Sequence, residues 1–229
     1  MSGSKSVVFY TDLSENRKRL NLATDIVLTL SPADSDHLPN SANVLAWKVL
    51  RFDPNFPIQH SVIWHEEAGF WLAVENEDGT LSARTQSQIV ERKHMTSFGE
   101  PGSGQAWSNP LKEHDTPTIV AVNSSDTPKQ FSLCSVDNSQ NPPIFSPVYS
   151  LGSVAHEEKI ECRTPTILQA YAVTGYKESQ PFKASSHKAH FLLKDHRNEP
   201  KPLNMEDASK VTVFRVYSHT SGRPMVEKV

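Results

Sequence analysis

Sixteen prolines are scattered through the 229 residues of this chain, and proline is excluded from helix interiors and from central strand positions. Few long helices fit between such breakers, so the regular elements must be short. The stretches between them indicate which kind. Residues 7–11, 24–30, 44–52, 61–64, 70–75, 80–89, 118–122, 130–136, 148–154, 158–162, 167–174, 190–193 and 211–218 are mostly rich in Val, Ile, Phe, Tyr or Trp. Most of them alternate with polar residues, the period-two pattern of half-buried strands. The fold class expected is therefore all-β, an antiparallel β-sandwich with minimal helix.

Local signals refine that expectation. Asp78-Gly79 lies between two alternating runs and predicts a hairpin with a tight turn. Residues 204–210 read as one or two helical turns, with Asn204 as N-cap and acids behind it. Around Phe98 the composition shifts: residues 99–110 hold three glycines and two prolines, followed by a charged stretch, 112–115. The chain is thus divided into an N-terminal β half (1–98), a Gly/Pro connector (99–117) and a C-terminal β half (118–229), separate or forming one continuous domain. His65-Glu66-Glu67 and His156-Glu157-Glu158 stand before strong strands in the two halves. They fit either a duplicated unit or a chance match.

Charge and composition narrow the function classes. With 37% hydrophobic and 21% charged residues, the chain has enough apolar material for a core and long polar loops. A net charge of −3, with no long Lys/Arg run, argues against the phosphate-neutralising surface that nucleic-acid binding needs. The apolar start, residues 7–10, is shorter than a signal-peptide core, and no stretch approaches the roughly 20 apolar residues that span a bilayer. A cytoplasmic, non-transmembrane protein is expected. Cys134 and Cys162 each sit in an apolar run and read as buried thiols; the alternative is a cross-strand bridge.

Ten histidines make metal or acid–base chemistry the first thing to test. His187, His190 and His196 form the densest cluster, but strand residues three apart point to opposite faces. His65 and Glu67, two apart, share a face and could ligate together. No Gly-x-Ser-x-Gly elbow is present, and residues 99–104 lack the Lys-Ser/Thr ending of a phosphate loop.

The tryptophans support a different reading. Trp47 and Trp64 fall in step with apolar neighbours and are expected in the core. Trp71 alternates with Ala73 and Glu75, opposite Phe70, Leu72 and Val74, which turns it toward the polar side. Trp107 lies in the connector beside Asn109 and either pins that segment to the fold or presents its ring to a ligand.

Residues 118–125, 131–134, 147–152 and 168–178 resemble uncharacterised, signal-free proteins of mushroom-forming fungi, over at most the stretch from Trp47 to Glu178. The resemblance implies an intracellular β-rich protein and no particular activity. The chain is also similar, at the level of fold, to the cytosolic lectins and pore-forming proteins of fruiting bodies, whose sandwiches recognise glycans or lipids.

The leading expectation is a non-enzymatic recognition protein that binds glycan or lipid through Trp107 and Asn109, with Trp71 secondary, and needs no cofactor. One alternative is a small-molecule enzyme with a divalent metal on His65, Glu67, His187, His190 and His196. Another is a self-associating structural protein, a homo-oligomer.

Overall fold

The computed structural model describes residues 3–14, 19–33, 38, 42–99, 105–113, 115–185, 189–194 and 199–229, with the backbone alone for residues 83–85. Among these residues there are strands, turns and loops but no helix, hence none long and apolar enough to cross a membrane. The strands up to the connector are β1 (Ser4–Tyr10), β2 (Thr24–Ser31), β3 (Asn43–Val44), β4 (Lys48–Phe52), β5 (Gln59–His65), β6 (Ala68–Glu75), β7 (Leu81–Ile89) and β8 (His94–Phe98). There follow β9 (Leu111–Lys112), β10 (Thr118–Asn123), β11 (Lys129–Asp137), β12 (Ile144–Val154), β13 (Lys159–Arg163), β14 (Ile167–Ala172), β15 (His190–Phe191), β16 (Leu203–Asn204), β17 (Val211–Ser218) and β18 (Pro224–Lys228).

These strands form four sheets, in the orders β18-β17-β1-β5, β13-β10-β8-β9, β3-β12-β11-β6-β7 and β15-β14-β2-β4, with β16 also on β14. Pairing is antiparallel except for β1 with β17 and β8 with β10. The all-β, sandwich-like architecture expected from the proline spacing and alternation is the one observed. Every sheet combines strands from both sides of the 99–117 connector. The main core likewise runs from Val7 and Phe9 through Phe70, Phe98 and Phe131 to Phe214 and Val216. Phe9 stacks on Phe214 at 5.3 Å between ring centroids, which ties the two parallel neighbours β1 and β17 together. Each such fully buried ring contributes about 1.5–3 kcal/mol relative to exposure.

Strand position decides how well alternation survives. In β17, Thr212, Phe214, Val216 and Ser218 are buried and the residues between them are not, because one face of that sheet meets solvent. In β2 and β10 burial is nearly continuous, since both faces are covered. Strand β6 belongs to the second kind, and this overturns the outward placement of Trp71: its side chain is 7% exposed.

Three local expectations need amendment. Residues 204–210 are not helical; Asn204 Oδ1 accepts the Glu206 N–H at 3.0 Å and its Nδ2 donates to Asp207 Oδ2 at 2.7 Å. A side chain that satisfies the backbone locally competes with a helix too short to nucleate. The run 44–52 is broken rather than continuous, because Leu45 bridges to Pro181 and the Trp47 N–H is taken by Leu28 O. The β6–β7 hairpin is present, but only Gly79 in its connection, residues 76–80, takes positive φ (+76°). Gly79 N–H bonds Asn76 O at 3.0 Å, which makes a type I turn closed by a left-handed glycine rather than a two-residue turn.

Candidate functional site

Strands β4 and β5 are the edges of two different sheets, and both come up against the end of the β11–β12 hairpin of a third. Edges of independently twisted sheets do not close perfectly on one another, and a cavity of about 340 Å³ remains at this junction. Trp47, Leu50 and Val62 provide apolar lining, Ser135 and Ser146 hydroxyls, and His65 and Asp137 titratable groups. Ser135 and Ser146 are cross-strand partners in the β11–β12 ladder, so the hairpin register places both hydroxyls at one level. Ile63 and Ile144, each 53% exposed, form an apolar rim.

His65 Nε2 lies 3.2 Å from Asp137 Oδ1, close enough for an ion pair when the imidazole is protonated but not aligned as a hydrogen bond. Asp137 is held by its own turn: Oδ1 accepts the Ser139 hydroxyl and the Ser139 N–H at 3.0 Å. The Ser139 hydroxyl, with help from the Ser139 N–H and the neighbouring His65, keeps the carboxyl below its ordinary 3.8 against an opposing effect of burial. The group is therefore an anionic acceptor at neutral pH. Two donors from Ser139 converge on Oδ1, with the His65 ring beside it, leaving Oδ2 to meet a ligand.

The indole N–H of Trp47 is buried and has no hydrogen-bond partner among the described residues, and the same holds for His65 Nε2. Trp64 and Trp107, by contrast, donate to the Pro165 and Gln86 carbonyls at 3.0 and 3.3 Å. An unmet buried donor costs about 1–3 kcal/mol, and the Trp47 and His65 nitrogens both belong to residues that line one cavity. Comparison with known proteins finds no matching family model, no similar curated protein and no similar solved structure.

His65 and His190, singled out from the sequence, lie at different cavities. The carboxylate set against His65 is Asp137, from another sheet, and not Glu67. His190 lies on β15 in a different cavity with Thr24, Asp25 and Ser218, and His187 and His196 fall outside the described residues. Among the described residues no three His, Cys, Asp or Glu side chains come together as a metal site. Cys134 and Cys162 are free and buried. Desolvation raises the Cys134 thiol well above the ordinary range and, with Glu161 adding to it, pushes that of Cys162 up to about 12. Both are inert as nucleophiles at neutral pH.

Trp107 is half-buried and packed against the core, with its ring centroid 5.0, 5.2 and 6.2 Å from those of Phe131, Phe98 and Phe70. The Phe98–Trp107 bridge and the Gln86 carbonyl fix it further. This is the geometry of an anchor that pins the connector. Asn109 is exposed. A second cavity, about 490 Å³, is lined by Gln86, Gln105, Gln130, Glu75 and Lys129 with Leu72 and Phe98. It is polar, but Gln86 Oε1 is its one buried atom without a partner among the described residues.

Proposed function

We propose that this protein is a non-enzymatic recognition module that binds a glycan in the cavity between β4, β5 and the β11–β12 hairpin. The observation that supports this reading is the placement around one cavity of Trp47, whose indole N–H has no partner among the described residues, and of the His65–Asp137 pair with its ionised carboxylate. A sugar hydroxyl both accepts and donates. It can accept from the Trp47 indole while a neighbouring hydroxyl donates to Asp137 Oδ2, and Ser135 and Ser146 can serve either role. The apolar C–H face of the ring would lie against Val62 and the Ile63 and Ile144 rim. The cavity falls in the roughly 300–1,000 Å³ range of small-ligand sites and would take one or two sugar residues. No serine hydroxyl bonds to His65 among the described residues, so the imidazole–carboxylate pair serves as a hydrogen-bonding platform without an aligned nucleophile.

The test is a glycan array followed by titration of any hit against wild type and Asp137→Asn. The amide keeps the shape of the Ser139 turn and removes the charge. Losing a charge-assisted hydrogen bond is expected to weaken binding by about 10-fold or more, with an unchanged far-UV circular dichroism spectrum. Equal affinity of the two proteins would remove the cavity from the reading, and absence of any bound glycan would remove the reading itself.

A further inference from the structure

We propose that a second, separate site, the slot between strand β18 and the residues 193–194 and 201–203, binds one long-chain carboxylate, its tail between the sheets and its head group among three lysines. The slot has a volume of about 480 Å³. Its floor is apolar: Leu193, Leu203, Phe214 and Val226 line it, and Leu203 and Val226 are half-buried extensions of the main core. Lys194, Lys201 and Lys228 line the same slot. No other lining group is basic, and the chain as a whole carries a net charge of −3, so the cluster is local.

The placement of these lysines is built in. The register of β17 with β18 sets Lys228 opposite Phe214 and Val226 opposite Val216. Phe214 and Val216 face the core, so Lys228 stands on the core-facing side of an edge strand. On the other wall, Lys194 bridges to Pro200 and the Lys201 N–H bonds Leu193 O at 2.8 Å, which holds the two lysines on adjacent rungs of a short antiparallel pairing. Glu227, the carboxylate of the slot, pairs with Arg215 at 3.7 Å. Among the described residues no carboxylate pairs with the three lysines. Three ammonium groups over an apolar floor complement a ligand with one anionic end and one hydrocarbon end. Neutral ligands leave the lysines unanswered, and small anions leave the floor unfilled.

An inward lysine on an edge strand also discourages edge-to-edge pairing, and an acidic peptide could add to the outer edge of β18. Neither depends on a hydrocarbon tail. The full chain is titrated by calorimetry with octanoate, decanoate, dodecanoate and tetradecanoate below their micellar concentrations, with tetradecanol, and again as the K201E/K228E variant. The proposal expects one site per chain and affinity rising roughly three- to fourfold per added methylene until the slot is full. It further expects tetradecanol to bind at least about 10-fold more weakly than tetradecanoate, and K201E/K228E to lose at least about 10-fold while its thermal unfolding is unchanged. Any of three results would overturn it: no saturable tetradecanoate binding, affinity independent of chain length, or equal affinity in the charge-reversal variant. Retention on anionic vesicles without binding of the monomeric carboxylate would also overturn it and reassign the lysines to a membrane surface. The glycan site stands or falls separately, because none of its residues is varied.

Discussion

Burial, together with the charges of Lys194 and Arg223, holds the imidazole of His190 below its ordinary pKa of 6.5. The unfolded chain therefore takes up this proton more readily than the folded one. Stability that His190 contributes above pH 6.5 is lost as pH falls through that value toward the depressed one in the fold. Asp12, Asp78 and Asp137 also have lowered values, but their contribution is lost only below the carboxylate range, so the two windows separate. His190→Gln should flatten the fall in melting temperature between pH 7.5 and 5.5. An unchanged slope would assign that window to other groups. At this scale the sequence was informative about burial and poor about partners. The core placement of Trp47 and Trp64 followed from their apolar neighbours. That Trp64 would find the Pro165 carbonyl and Trp47 no partner among the described residues depends on tertiary placement. His65 was identifiable as a candidate, but same-face reasoning within a strand could offer only Glu67, whereas Asp137 arrives from a different sheet.

The strands show which local signals survive folding. Alternation located β5, β17 and the β6–β7 hairpin, and failed where a strand is covered on both faces, as at Trp71. Strand β18 is not among the runs read from the sequence; it opens on Pro224, and proline is tolerated at the first position of an edge strand. Strand β8, His94–Phe98, alternates too weakly to be seen. One glycine reveals how close the β6–β7 pair runs. A Cβ added at Gly69 would lie 2.3 Å from the Gln88 carbonyl oxygen and 2.9 Å from the Phe145 ring. The first of these is backbone and cannot rotate away. Gly69→Ala is expected to lower unfolding free energy by about 1–3 kcal/mol, measured by urea denaturation. An effect below about 0.5 kcal/mol would mean that the two strands separate at little cost.

Taken as a whole, the molecule is assembled from contacts that no local pattern announces: β1 beside β17, β8 beside β10, and every sheet drawn from both sides of the connector. The shift in composition at residues 99–110 was legible from their glycines and prolines, as was the choice between a ligand-facing and an anchoring Trp107. Only the aromatic cluster of Phe70, Phe98 and Phe131 shows the anchoring arrangement. The cavity is a product of this assembly, since β4, β5 and the β11–β12 hairpin come from three sheets. The four tryptophans offer a direct reading of it, because each indole N–H gives its own peak in a nitrogen–proton correlation spectrum. The protein is titrated with galactose, mannose, N-acetylglucosamine and cellobiose. At least one of these sugars is expected to move the Trp47 indole peak in a saturable manner and leave that of Trp64 in place. A Trp47 peak unmoved by all four, or a shift confined to Trp107, would contradict the assignment of recognition to this cavity.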